Sequence, residues 1–291
     1  MKSKSSIWLL TAMLGTQIAV SCSTADYGSA GDPAPKKTNA KAAPESTTGG
    51  SGGAKGENAA PQPKSKASPE FFSSGKSLDL HVIMDKSGSL WVDPNMSTVM
   101  GSGSDPECKR MDALLDLIDG LKAKLTKGEF VRLTVVTFSN GSAAVGSLPD
   151  VLKESRSSID QKLRPGVCTF PGQLETTNYA EGISESLSEL RRLRATKKLE
   201  VETSLFFSDG AAKDSPTRLL DAISELNAEF PKRIFGILLG NTSDQCTLSE
   251  GARRLSTIEC LRKVVGNANE KVVQSDDAAG LSAAMTSLLE K

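Results

Sequence analysis

The chain has one histidine, His81, two tyrosines and two tryptophans in 291 residues, and aromatic side chains make up only 4% of it. A single imidazole excludes most zinc sites and every charge-relay triad, unless His81 itself stands at a reactive position. It lies inside the apolar run Leu78–Met84, upstream of the run's end, so its expected role is that of a satisfied core residue. An excess of one charge is missing too: Lys+Arg and Asp+Glu each number 35, which gives nucleic acid and other polyanions no handle. No Gly-x-Gly-x-x-Gly follows the first apolar run, which excludes dinucleotide binding there, and no Gly-x-Ser-x-Gly surrounds Ser87 or Ser89. An aspartyl-phosphate enzyme built on Asp85 needs a second Asp at position 87, where Ser stands. No membrane-length hydrophobic run occurs near the start, because Ile7–Val20 is short and is interrupted by Thr11, Thr16 and Gln17.

What is present divides the chain in three. Lys2 and Lys4 followed by Ile7–Val20 make residues 1–21 an expected signal peptide. Residues 22–75 are dominated by Ala, Gly, Ser, Pro, Thr and Lys, with Gly-Gly-Ser-Gly-Gly at 49–53. Too few apolar side chains occur there to offset the entropy of ordering the backbone, so this stretch is expected to be a disordered linker. Within it residues 23–70, as a flexible coil of about 48 residues, would reach on the order of 35–40 Å root-mean-square. Most of the lysines outside the remainder fall in this stretch, so residues 76–291 are mildly acidic.

In residues 76–291, strand-like runs at Leu78–Met84, Val131–Phe138, Thr203–Phe207 and Arg233–Leu239 alternate with amphipathic helical patterns. The helices are expected from Asp105-Pro106 to Gly128, over Val151–Leu163, after Thr177, from Ser215-Pro216 to Pro231, over most of Leu248–Val265, and over Asp277–Glu290. Gly141–Val145 reads as an antiparallel edge strand and Lys271–Val273 as another short edge. The fold class is therefore α/β: a doubly wound, mostly parallel sheet with one antiparallel edge strand and helices on both faces, in one domain.

At the end of the first run, Asp85, Ser87 and Ser89 occupy alternate positions, so an extended backbone aims three oxygen-bearing side chains to one side. Thr177 opens a helical pattern and Asp209 closes a strand. Parallel strands deliver their carboxyl ends to one edge, where these residues can converge into a site for a hard cation. Asp85-x-Ser87-x-Ser89, Thr177 and Asp209 before Gly210 together resemble the metal-ion-dependent adhesion site of von Willebrand factor type A (VWA) domains. The likeness covers roughly residues 76–291. It implies that Ser87, Ser89 and Thr177 coordinate Mg²⁺ (or Ca²⁺ or Mn²⁺) through hydroxyls and that Asp85 and Asp209 supply charge directly or through water. It also implies a coordination position left for an Asp or Glu carboxylate of a protein partner. The expected function is cation-dependent protein binding without catalysis, by a monomer. The alternatives are an envelope scaffold with a structural metal and, further off, a metal-dependent hydrolase.

Ile18-Ala19-Val20-Ser21-Cys22 resembles a bacterial lipobox, with Ala19 where that family prefers Leu. The resemblance implies a lipid on Cys22 and attachment to the cell envelope. Ser23, rather than Asp, implies the outer membrane, on either its periplasmic or its exterior face. The other cysteines, Cys108, Cys168, Cys246 and Cys260, are even in number behind an export signal and are expected to form two disulfides in one of three connectivities. No Cys-x-x-Cys pair occurs among them, which speaks against a zinc cluster. The expected pairing is Cys108–Cys168, which joins the loop after the first strand to the loop before Thr177, with Cys246–Cys260. Trp91, in the long loop beside the candidate site, is expected to fold back and bury that loop rather than to stand out as a contact residue.

Overall fold

The computed structural model describes residues 71, 75–92, 101–125, 128–170, 176–240 and 244–290. The expected signal peptide, lipid-bearing Cys22 and nearly all of the linker lie outside these residues. Among the described residues no helix is long and apolar enough to cross a membrane.

The elements run β1 (Leu78–Asp85), α1 (Lys109–Lys124), β2 (Val131–Phe138), β3 (Ser142–Leu148), α2 (Arg156–Val167), α3 (Tyr179–Thr196) and β4 (Val201–Ser208). They continue through α4 (Pro216–Glu229), β5 (Ile234–Leu239), β6 (Gln245–Glu250), β7 (Arg253–Ser256), α5 (Thr257–Val264), β8 (Val272–Ser275) and α6 (Leu281–Ser287). Six strands form one sheet in the order β3-β2-β1-β4-β5-β8. All pairings in it are parallel except β2 with β3. The expected doubly wound fold is the one observed.

Strand β1 is buried along its whole length, as a central strand covered on both faces must be. Leu78, Leu80, Val82 and Met84 pack with the apolar faces of α1, α2 and α6. Ile83, on the opposite face, packs with α3, α4 and α5 through Phe138, Phe206 and Leu187. Phe71 belongs to the first of these cores, with its ring 5.1 Å from that of Phe235.

From β1 the chain winds first to β2 on one side and later to β4 on the other, so the winding direction reverses beside β1. A crevice at the carboxyl ends of the strands is the geometric result. Asp85 ends β1, and Asp209 directly follows β4.

Four expectations need correction. The stretch Leu248–Val265 is mostly not helix: β6 and β7 form an antiparallel hairpin through Gly251, which has φ +60°, and only α5 is helical. Cys246 and Leu248 point inward at alternate positions, and the Cys246–Cys260 disulfide ties the hairpin to α5. Helix α1 begins at Lys109, after a turn through Cys108 at φ 57°, instead of at Pro106. Asp105 still serves as its cap, since its carboxylate accepts from the N–H groups of Lys109 and Arg110 at 2.5 and 3.1 Å. Helix α2 is shifted downstream. Val151 packs in a turn whose N–H donates to Val131 O at 2.8 Å, and the buried stripe Ile159, Leu163, Val167 carries the helix through Pro165. The closing helix is likewise shorter than expected, because Asp277 accepts from Gly280 N–H at 2.8 Å and holds a turn ahead of α6.

Candidate metal centre

A fully buried carboxylate, Asp85, and a half-buried one, Asp209, meet a row of hydroxyls at the carboxyl edge. Asp85 accepts from the Ser87 N–H at 2.7 Å on one oxygen and from the Ser208 hydroxyl at 2.6 Å on the other. Ser87 Oγ and Ser89 Oγ lie 3.1 Å apart, and Ser89 Oγ donates to Asp209 Oδ1 at 3.0 Å. Thr177 Oγ1 and Ser89 Oγ both fall within 4 Å of the point where a Cβ on Gly210 would sit, with Thr177 the nearer at 2.9 Å. Glycine at 210 is therefore what lets the α3 end approach the other donors. The structure brings all five expected positions, Asp85, Ser87, Ser89, Thr177 and Asp209, to one place.

Each arrives by a local cause. The β1 strand ends at Asp85, and the turn after it starts with the Ser87 N–H folded back on that carboxylate. Thr177 is fixed on both sides: its carbonyl accepts from Lys213 N–H at 2.9 Å, and Asn178 N–H donates to Ser139 O at 3.1 Å. Asp214 caps α3 by accepting from Ala180 N–H at 3.1 Å. Tyr179 OH donates to Gly210 O at 2.7 Å, tying α3 to the turn that carries Asp209.

Burial pushes the Asp85 carboxyl above the ordinary aspartate range, against the hydrogen bonds from Ser208 and Ser87. Asp209 is pushed up to about 7, first by burial and then by the charge of Asp85. Two neighbouring carboxylates, one fully and one partly withdrawn from water, with mostly hydroxyls for company favour a positive charge placed between them. The donors are all oxygen, without thiolate or imidazole, and among the described residues no cluster of three or more His, Cys, Asp and Glu competes for a metal. Oxygen donors mixing two carboxylates and several hydroxyls fit a hard divalent ion such as Mg²⁺, Ca²⁺ or Mn²⁺.

Two hydroxyls of the site were not expected. Ser104 Oγ donates to Asp209 Oδ2, and Ser208 holds Asp85. The only signal for Ser104 is its place at the far end of the loop that begins beside Ser89, whose carbonyl accepts from Ser104 N–H at 3.0 Å. Beneath it sits fully buried Arg110, which donates to Asp105 Oδ2 at 2.7 Å and to Val167 O at 2.9 Å. Its guanidinium lies 5.1 Å from the Trp91 ring centre, and Trp91 meets Phe170 edge-on. Trp91 is thus folded inward as expected, at 8% exposure. The Cys108–Cys168 disulfide closes the same layer, with Cα atoms 5.6 Å apart, and both expected pairings are present.

His81 is a core residue, but a less satisfied one than expected. It is fully buried, neither ring nitrogen has a hydrogen-bond partner, and Nε2 lies 3.4 Å from Asp79 Oδ1.

No family model and no curated protein matches the chain. Solved structures do. The PilB minor pilin from Streptococcus sanguinis aligns over 74% of this chain and 61% of its own, at 11% identity and a TM-score of 0.50. Proximal thread matrix protein 1 from the mussel byssus, in a structure with a zinc-occupied MIDAS motif, aligns over 74% of this chain at 18% identity and a TM-score of 0.49. A von Willebrand factor type A structure from Catenulispora acidiphila aligns over 74% at 16% identity and a TM-score of 0.43. The alignment takes in less than half of each of the last two chains, 45% and 42%. At these identities the likeness is one of fold.

Proposed function

We propose that this domain holds a divalent cation, Mg²⁺ before Ca²⁺ or Mn²⁺, on Asp85, Ser87, Ser89, Thr177 and Asp209. Its cation-loaded face then binds a protein partner through an Asp or Glu carboxylate. The observation that carries the reading is the run of donors Ser87, Ser89 and Asp209, linked by contacts of 3.1 and 3.0 Å, with Thr177 brought against it across Gly210. A bound cation supplies there a positive charge with a coordination position that a carboxylate can take. The chain's own residues do the rest. Ser208 and the Ser87 N–H orient Asp85, Ser104 orients Asp209, and burial keeps water from screening the Asp85 charge.

The reading also takes the domain to be non-enzymatic and monomeric. It places the domain on a lipid-anchored linker from Cys22 at the outer membrane, which the lipobox-like Ile18–Cys22 and the Gly/Ser/Pro-rich stretch after it support. Calorimetric titration with Mg²⁺ tests the centre. Saturable binding to the wild type that disappears in Asp209→Ala is expected; heat of binding that is the same in both sinks the reading.

A further inference from the structure

Beside the candidate centre, on its β2–β3 side, lies a groove of about 280 Å³ lined by Lys86, Thr137, Phe138, Ser139, Ser142 and Ala143. Lys86 directly follows Asp85, and its N–H donates to Phe138 O at 2.8 Å, which anchors its backbone at the groove's head. The lip on the other side is shared with the centre, because Ser139 O accepts from the N–H of Asn178, the neighbour of Thr177.

Among the described residues no acidic side chain lines the groove. Lys86 is half-buried, and among the described residues its ammonium has no hydrogen-bond or ion-pair partner. Most cationic side chains of this fold are paired, including Lys109, Lys122, Lys124, Lys153, Lys162 and Lys263. Holding a lysine partly desolvated without a counterion costs free energy that an incoming anion recovers. An uncompensated cation next to a carboxylate-capturing centre is complementary to a ligand with two negative groups.

We propose that Lys86 and this groove form the specificity subsite of the cation-dependent face. The subsite takes a second acidic side chain from the same partner segment whose first carboxylate is bound at the centre. The partner is then an acidic peptide stretch rather than any protein with one exposed Asp or Glu. This rests on the cation-dependent reading above, and the test separates the two.

The probes are two capped peptides, Gly-Asp-Gly-Glu-Gly and Gly-Asp-Gly-Gln-Gly, titrated by heteronuclear NMR into the full chain with saturating Mg²⁺ and again with a chelator. The Glu peptide is expected to bind about fivefold more tightly than the Gln peptide, as one partly shielded ion pair allows. That ratio falls to about one in Lys86→Ala and persists in Lys86→Arg, while resonances of Ser142 and Ala143 shift only with the Glu peptide. Mg²⁺ affinity of Lys86→Ala, read alone by calorimetry, stays equal to or above that of the wild type because a nearby cation has been removed. Equal affinity of the two peptides, or a ratio that survives in Lys86→Ala, overturns the subsite and leaves cation-dependent binding standing. Peptide binding indifferent to the chelator overturns the parent reading, and the subsite falls with it.

Discussion

The two ends of β1 each bury an aspartate completely, and they treat it in opposite ways. At the amino end, Asp79 faces Arg132, which donates from Nε to Oδ1 at 3.0 Å and from Nη2 to Oδ2, with His81 alongside. Burial raises the Asp79 pKa, but the adjacent His81 and the hydrogen-bonded Arg132 outweigh it and the carboxyl ends below its ordinary range. At the carboxyl end, burial raises Asp85 and Asp209, and serine hydroxyls with the more distant Arg110 do not bring them back. One strand therefore carries a charge that the fold neutralises for itself and a pair of charges that it does not. The first is part of the stability of the domain; the second, on the proposed function, is a binding capacity held at some expense to it.

That contrast can be broken most forcefully at the amino end. Arg132→Met leaves Asp79 buried and unpaired, and urea unfolding is expected to show a loss of about 3–5 kcal/mol. Mg²⁺ binding, measured on the folded fraction, should be unchanged. A loss below about 1 kcal/mol would mean that Asp79 is not held as an ion pair. The matched change at the other end goes the other way. Asp209→Asn removes a charge with no facing cation, so the chelated protein is expected to gain roughly 1–3 kcal/mol while losing its cation site. Destabilisation by that variant in the absence of metal would contradict the account of the carboxyl edge.

Acidity sharpens the same comparison. Asp79 has a folded pKa below its unfolded value. Its contribution is fully present above the unfolded pKa and is lost as pH falls through the folded one, that is, in the acid range below about 4. Asp209, with a folded pKa of about 7, binds a proton more tightly folded than unfolded. Between about pH 4 and 7 the folded state holds the extra proton, so chelated protein should lose stability as pH rises through that window, by at most about 1.4 kcal/mol per unit. Saturating Mg²⁺ should flatten the slope, since the cation takes the proton's place. Thermal unfolding between pH 4 and 8, with and without Mg²⁺, reads this directly; identical slopes would refute it.

How much of this could be read beforehand depended on where the deciding contacts lie in the chain. Strand β2 matches its expected bounds, Val131–Phe138, because an apolar run buried on both faces leaves no competing period. The five candidate positions were legible as a cluster because each lies at or just beyond the end of an element, and the ends of parallel strands have only one edge to share. Ser104 was not legible. It reaches Asp209 across 105 positions from the end of a Gly/Ser loop with no periodicity to locate it. The hairpin at β6–β7 was misread because Leu248, Leu255, Ile258, Leu261 and Val265 recur at spacings that imitate one face of a helix. The Gly251-Ala252 turn, with φ +60° at the glycine, was the local cue that outranks that period.

The smallest expected effect is the one that best separates geometry from stability at the carboxyl edge. Gly210 has no positive φ to satisfy, and its need for glycine comes from the 2.9 Å between a would-be Cβ and Thr177 Oγ1. Gly210→Ala must therefore displace the Thr177 hydroxyl or the turn bearing Asp209, by a few tenths of an ångström. The unfolding free energy should change by under about 1 kcal/mol, since the crowded atom is the tip of a side chain and not packed backbone. Mg²⁺ affinity should fall about tenfold, a hard ion being intolerant of a displaced oxygen, and Ca²⁺ affinity should fall less, because its shell is larger and more pliable. Equal losses for the two ions would show that the turn as a whole has moved. No loss for either would remove Thr177 from the donor set and leave the centre to Asp85, Asp209 and the serines.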